Sequence, residues 1–600
     1  MNGAWLRRLR GLWIAGVLCM PCTDAFAQTF TKDIAPIVFD ACAPCHRSGG
    51  PGPFPLTTYD EVRRRASQIA KVTASRFMPP WKVEPGVGHF VGQRLLTDRE
   101  IAAIGKWAGN GTPEGDVAAL PALPPHAEGW LLGKPDLVVK PERAFSLPAT
   151  GTDAFRIFAI RLPVTKRRYV TGIEFHPGNA RVVHHANIRI DRTPATRQLD
   201  EADPAPGYDG LMPRSAEYPD GHFLGWTPGQ IAPLVQPELA WTLDPGSDLV
   251  VQLHLQPSGA VEDVLPEIGL YFTDRAPERT PTILRLGSQG IDIPPGESRY
   301  VIRDSYVLPV DVQLLAVQPH AHYRAREIRG TATLPNGSTH TVMHIRDWDF
   351  RWQHVYRHAT PIPLPAGTRL SMEFSYDNSA SNPRNPESPP ARVFWGQRSR
   401  DEMGDLWFQL LTSNEADRRR LNQEITAKMT AEDIVGYETM LKVTPDDAEL
   451  HDDVALLYMG LGSAANAVRH FQASAALKPE SAAAHFNLGT AQAQAGRLEE
   501  AMRSFREALA RRPDYAVARG NLGRVLLISG NLGEALKELH EAVRLDPKNP
   551  QNLLALAEAL AASGAIDQAI ERLERAGQLP LPEHLAREIA AKRAEYLKRK

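Results

Sequence analysis

Residues Arg181–Asp191 read RVVHHANIRID, and how they are interpreted decides the architecture of the middle of the chain. Apolar and β-branched residues dominate, the pattern of a buried strand, yet His184 and His185 stand side by side inside it. Burying two imidazoles is costly unless each ring nitrogen finds a partner, and a shared metal ion supplies one. Successive side chains in a strand point to opposite faces. Adjacent residues therefore reach one ion only through a local twist or bulge, or through an unusual choice of ring nitrogen. The expectation is that at least one of the adjacent rings presents Nδ1, or that the strand is distorted there.

The same grammar extends outward from this stretch. From about Trp130 to Leu411 the chain is made of short β-branched runs broken by Pro, Gly, Asn and Asp, which predicts β-sandwich structure. Three further motifs stand out: Gln252-Leu253-His254, His320-Ala321-His322 and Asp401-Glu402-Met403. His320 and His322 are two apart, so a strand places both on one face, as a bidentate metal site needs. His254 closes the strand-like run Leu249–Leu255. Imidazoles with a thioether suit copper, Cu(I) in particular, better than magnesium or calcium. His176, His222, His340, His344, His354 and His358 read as ordinary core or surface histidines. Asp347–Gln353 (DWDFRWQ), Leu364–Thr368 (LPAGT) and Asp377–Pro383 (DNSASNP) read as turn and corner chemistry.

Ahead of this region lies a different chemistry. The 600 residues contain four cysteines, Cys19, Cys22, Cys42 and Cys45. A basic segment (Arg7-Arg8-Leu9-Arg10), the apolar run Gly11–Met20 and Ala25-Phe26-Ala27 read as a secretory signal peptide over residues 1–27. Cleavage leaves Cys42 and Cys45, so no structural disulfide is expected in an exported, periplasmic protein. Those two lie in Cys42-Ala43-Pro44-Cys45-His46, the C-x-x-C-H signature of covalent haem c attachment, with His46 as the proximal iron ligand. A redox dithiol or half a zinc site is the competing reading, and no second cysteine pair supports zinc. Met78, in RFMPPW, is the candidate distal ligand, with His89 its rival. Helices are expected over Tyr59–Ser75 and Thr97–Asn110, the second opened by a Thr97-x-x-Glu100 capping box. Residues 28–118 resemble a small all-α class I-like cytochrome c, and 119–128, rich in Ala and Pro, form a linker.

The C-terminal third repeats itself. Pro445, Pro479, Pro513 and Pro547 are spaced by 34 residues, as are Gly462, Gly496, Gly530 and Gly564, and Ala467, Ala501, Ala535 and Ala569. Thirty-four is the tetratricopeptide period, two helices per repeat with small residues where they cross. About four repeats, preceded by an incomplete one, are expected over 414–580 as an α-solenoid (TPR), with 581–600 as a capping helix. Such arrays commonly bind a protein partner on their concave face. The net charge of −2 gives no electrostatic footprint for nucleic acid, and no stretch after the leader is apolar enough for a transmembrane segment.

Taken together, the histidine and methionine motifs over about 128–412 resemble the copper type II, ascorbate-dependent monooxygenases, the group containing peptidylglycine α-hydroxylating monooxygenase and dopamine β-monooxygenase. The resemblance implies two jelly-roll-like sandwich halves, 129–277 and 278–413, with the break near Asp274–Pro281. It implies a copper held by His184, His185 and His254 that relays electrons. It implies a second copper on His320, His322 and Met403 where O2 binds and a substrate C–H bond is attacked. Gln252 matches the family's Q-x-H pattern, and the stretches beginning at Asp347, Leu364 and Asp377 resemble segments of bacterial members. Where the peptide-acting enzymes carry an arginine two residues before His-x-His, this chain has Gln318. Asp405 and Trp407 replace the asparagine and tyrosine that follow their methionine. A peptide carboxylate is therefore not the expected substrate, and the organic substrate and external electron donor stay open. Two function classes follow: an exported oxidoreductase whose haem c feeds a two-copper, O2-dependent monooxygenase, or a non-catalytic haem- and copper-binding scaffold for electron transfer or metal handling. A cytochrome serving a separate redox partner is a third.

Overall fold

The computed structural model describes residues 28–48, 50, 52–124, 129–210, 212–213, 215–228, 230, 234–396 and 398–600. The expected signal peptide and part of the linker lie outside them. The chain divides into two compact units, one from residues up to Trp81 together with Gly92–Gly133, the other from Lys82–Val91 together with Lys134–Lys600.

The first unit is helical. A short π-turn, Phe30–Ile34, runs into the helix Ala35–Ala41, whose apolar side chains Phe30, Ile34, Val38 and Phe39 are buried with Ile104 and Trp107. The helix Asp98–Gly109 opens on Thr97, whose Oγ1 accepts from Glu100 N while the Glu100 carboxylate accepts from Thr97 N, a reciprocal cap of the orphan amides. The segment expected as one helix over Tyr59–Ser75 is two, Tyr59–Arg63 and Ala66–Ala74, separated at Arg64 and Arg65. Residues 82–91, inside the first domain by sequence, pair instead with the second unit. Glu84 N donates to His344 O (2.9 Å), and Ala359 N donates to His89 O (2.8 Å).

In the second unit the β-rich region is built mainly of two pairs of antiparallel sheets, with two further two-stranded sheets among the described residues. The first pair sets Ala154–Arg161, Asp248–Leu255, Val183–Asp191 and Ala216–Glu217, in that order, against Leu137–Val139, Glu267–Thr273, Arg168–His176 and Trp241–Leu243. Their facing side chains, among them Phe158, Val170, Ile188, Trp241, Leu253 and Ile268, form one core. The second pair sets Thr282–Gly287, Gly404–Thr412, Val312–Ala321 and Tyr356–Leu364 against Tyr300–Val307, Arg369–Tyr376, Ala325–Thr333 and Thr339–Ile345. Gly330 of one layer admits Leu406 of the other where a Cβ would collide with it.

A single helix, Glu415–Val443, leads away from the second pair, at the position where an incomplete repeat is expected. It is fastened to the sheet by Arg285 on Asp433 (2.5 Å), Gln289 on Asp433 (2.8 Å) and Lys428 on Asp304 (2.6 Å). Four helix pairs follow, from Ala448–Gly460 to Ile566–Gly577, and Glu583–Leu597 packs on the last through Leu585, Ile589 and Tyr596. The 34-residue series take up repeated structural positions. Gly462, Gly496, Gly530 and Gly564 turn between paired helices at φ of 71 to 87°, which favours glycine, and the four alanines are fully or almost fully buried. No helix among the described residues is long and apolar enough to cross a membrane.

Candidate functional site

The ladder between Val183–Asp191 and Asp248–Leu255 slips by one residue where the histidines stand. Val183 faces Leu255 and His185 faces His254, leaving His184 as the extra residue of a bulge. Beyond it, alternation resumes: Ala186, Ile188 and Ile190 enter the core, while Asn187 and Arg189 share the cavity side with His185. The bulge is what lets two neighbours turn to the same side.

Among the described residues, His184, His185 and His254 offer ligand atoms that all lie within 4.8 Å of one another. His184 Nδ1 is 3.1 Å from both His185 Nδ1 and His254 Nδ1. An imidazole nitrogen carries either one in-plane proton or one lone pair, so His184 Nδ1 cannot satisfy both neighbours. Three lone pairs converging on a cation resolve that arrangement, and imidazole donors suit copper or zinc. Burial, then the proximity of His254, pushes His184 down to about 4, and burial holds His185 well below the usual histidine value, so both rings are neutral and free to ligate. Behind His254, Nε2 donates to Asp153 Oδ2 (2.9 Å), fixing the tautomer that leaves Nδ1 bare, and Ser399 Oγ donates to the same oxygen (3.1 Å). Burial pushes the Asp153 carboxyl up, but the His254 and Ser399 hydrogen bonds outweigh it and leave the group below its ordinary value. Phe155 stacks on His254 at 4.5 Å and 4°.

The second set is built at the end of a neighbouring strand. His320 lies in Val312–Ala321, His322 just beyond it, and their ring centroids are 5.3 Å apart. This strand pairs with Gly404–Thr412 in the register Ala321 to Gly404, and His322 and Met403 are the residues next beyond that last pair. The Glu402 carboxylate clamps the junction, accepting from His322 N (2.6 Å), Arg324 N (3.0 Å) and Met403 N (3.1 Å). Burial lifts it to about 7 against those amides. Gln353 Nε2 donates to Phe350 O (2.9 Å), which turns Oε1 toward His320 Nδ1. His322 Nδ1 lies 3.1 Å from Asp401 O, and a carbonyl only accepts. Both rings therefore keep Nε2 for a ligand, where the first set offers Nδ1. His185, His320, His322 and Met403 line one cavity of about 1020 Å³. So do Gln318, Asp405 and Trp407; the register pairs Gln318 with Trp407 and His320 with Asp405. Burial raises Asp405 to about 6 despite Arg285 at 3.9 Å.

In the helical unit, Cys42, Cys45 and His46 sit on one turn after Ala35–Ala41, with His46 N bonded to Cys42 O (2.9 Å). His46 Nδ1 is 3.1 Å from Phe54 O, so Nδ1 holds the proton and Nε2 the lone pair, as an axial iron ligand requires. Burial, then Cys45 and Asp40, pushes the Cys42 thiol up to about 12, and Arg94 Nη1 reaches Cys45 Sγ at 3.2 Å. Met78 is half-buried after Ala66–Ala74, its amide on Val72 O (3.1 Å). His89 belongs to the segment paired with the β-rich unit.

Four residues of these sites carry no role in the sequence reading: Asp153, Phe350, Gln353 and Glu402. Phe350 and Gln353 fall in DWDFRWQ, read as turn chemistry; its density of aromatics was the available signal. His358, read as ordinary, is buried against Phe90; His222 is buried too, pushed down to about 3 by burial and then Arg357.

Tetratricopeptide repeat models match residues 455–516, 494–540 and 526–579. No curated protein matches the sequence. Among solved structures, the chain is similar to MamA (22% identity, 29% of this chain and 96% of that one, TM-score 0.24). It is also similar to YrrB, described as a TPR protein with an unusual peptide-binding site (19%, 28% and 88%, 0.24), and to Pseudomonas aeruginosa PilF (21%, 29% and 86%, 0.25). The repeat models show that the C-terminal array is built of tetratricopeptide repeats.

Proposed function

We propose that the chain is an exported haem- and copper-containing oxidoreductase that hydroxylates a C–H bond with O2. The observation that carries it is the complementary donor sets: three Nδ1 atoms converge at His184, His185 and His254, while His320 and His322 keep Nε2 and line one cavity with Met403. The first set would hold one copper and the second another, and Cys42, Cys45, His46 and Met78 would hold haem c. When bound, these groups supply one-electron transfer and O2 activation. The overall balance is R–H + O2 + two electrons + two protons giving R–OH + H2O, the electrons entering singly from an external donor.

The protein's own residues keep the rings neutral, fix their tautomers through Asp153, Gln353 and Asp401 O, and enclose the second set in a cavity that receives the substrate. Gln318, Asp405 and Trp407 line it in place of a carboxylate-binding arginine, which favours a substrate other than a peptide C-terminus. The repeats supply a surface for a protein partner. The same substituted positions sustain the second reading, a non-catalytic metal- and haem-binding scaffold.

Copper titration tests the assignment: two tight equivalents are expected, one lost in His254→Ala and the other in Met403→Ala. For turnover, the copper-loaded, haem-reduced protein should consume O2 and reoxidise its haem at a common rate. Haem reoxidation unchanged in His320→Ala would leave the scaffold reading standing.

A further inference from the structure

The loop Asp347–Gln353 touches both ligand sets at once. Phe350, 3% exposed, packs its ring on His184 (centroids 5.3 Å, 28°), His254 (5.7 Å) and His185 (6.2 Å). The same ring lies 5.5 Å from His322 and 4.7 Å from Tyr323. Its neighbours in sequence hold the second set by hydrogen bonds. Trp348 Nε1 donates to His322 O (3.1 Å), and Gln353, anchored on Phe350 O, accepts from His320 Nδ1. Asp349 braces the loop internally, accepting from Arg351 Nε (3.0 Å), Nη2 (2.7 Å) and N (3.1 Å).

From this placement we infer that Phe350 is a positioning residue that couples occupancy of the two metal sites. The inference rests on the assignment of those two sites. The physical reason is direct contact: a ring that lines the cavity and rests on four imidazoles drawn from both sets passes a displacement of one set to the other. When an ion fixes the His184, His185 and His254 rings, the face against which Phe350 rests is fixed too. Phe350 O holds Gln353 and the ring holds His322, so the second set is then ordered before its own ligand arrives. Coupling of this kind is reciprocal: each site tightens the other by the same factor.

A double-mutant cycle on the full-length chain tests it, with Cu(I) alone as the probe and a chromophoric chelator as competitor. The quantity read is the affinity of the His184 set in four proteins: wild type, His322→Ala, Phe350→Leu and the double variant. His322→Ala is expected to weaken the first set about tenfold in the wild-type background and less than twofold in the Phe350→Leu background. Phe350→Tyr, which keeps the ring, should restore the tenfold effect. Equal weakening by His322→Ala in both backgrounds overturns the coupling role of Phe350, as does absence of any weakening in the wild type. If instead Cu(I) fails to bind wild type at two equivalents, it is the assignment of the sites that fails. Phe350→Leu keeps apolar volume, and circular dichroism with a thermal transition confirms that each variant is folded before it is titrated.

Discussion

Replacing His184 by alanine separates a metal ligand from a structural core residue, because the two roles predict opposite dependence on copper. Without metal, the substitution removes a ring that stacks on Phe350 at 5.3 Å, a loss of about 1–2 kcal/mol of burial and packing. It also removes a buried Nε2 that has no hydrogen-bond partner and an Nδ1 set against two others at 3.1 Å. Relief of an unsatisfied buried polar atom returns about 1–3 kcal/mol. The metal-free variant should therefore lie within about 1 kcal/mol of wild type. With copper at about 100 times its dissociation constant, wild type gains about 2.7 kcal/mol by mass action. For a β domain of this size that corresponds to a rise of about 5–10 °C in its transition. His184→Ala, left with two of three imidazoles, should lose most of that gain. Differential scanning calorimetry of wild type and variant, each with chelator and with copper, gives all four values. A copper-induced rise of equal size in both proteins refutes ligation by His184. A metal-free loss above about 3 kcal/mol refutes the claim that the apo cluster is internally unsatisfied.

Cys42→Ser with Cys45→Ser should abolish covalent haem on a denaturing gel; Met78→Ala should retain it but lower the reduction potential, since a thioether raises it, and an unchanged potential removes Met78 as a ligand. Gly530→Ala places a Cβ at φ 80° and should cost the repeat array about 1–2 kcal/mol in urea denaturation, whereas an unchanged midpoint would mean the turn relaxes freely. His222, held near 3 by burial and then Arg357, stays neutral in the fold while the unfolded chain takes up a proton near 6.5. The unfolded state then binds more protons, so stability falls as pH drops from about 6.5 toward 3, by about 1.4 kcal/mol per unit. His222→Asn should flatten that slope by the same amount in urea titrations at pH 6, 5 and 4, and an identical slope would assign the loss to other groups.

The repeat array was the most legible part of the chain because its three residue series serve local and nearest-neighbour demands. The glycines satisfy a backbone angle, the alanines a close helix crossing, and the prolines mark each junction. The Thr97–Glu100 cap was equally readable, since both of its hydrogen bonds close within one turn. The break between Tyr59–Arg63 and Ala66–Ala74 was not. Neither proline nor glycine marks it; at the break the Arg65 guanidinium lies 4.2 Å over the Phe54 ring, a tertiary contact with no local signature. Residues 82–91 illustrate the same limit, because strand pairing with 344 and 357–359 depends on a partner more than 250 residues away.

The histidine pair marks where local and distant information meet. Two imidazoles in an apolar strand violate alternation, and the violation calls for a twist, a bulge or an unusual choice of ring nitrogen; the register supplies a bulge at His184. Which nitrogen each set presents could not be read the same way, because it is decided by acceptors brought from afar: Asp153 for His254, Gln353 for His320, Asp401 O for His322. DWDFRWQ is the sharpest case. Its polar residues suit a turn, and Arg351 on Asp349 does brace one. Yet Trp348, Phe350 and Gln353 each reach a different histidine or its backbone. A turn needs polar residues and backbone freedom; it has no use for two tryptophans and a phenylalanine over seven positions. Aromatic surface in excess of what a turn can bury locally must be buried against something else, and for Phe350 that is the imidazoles of both sets.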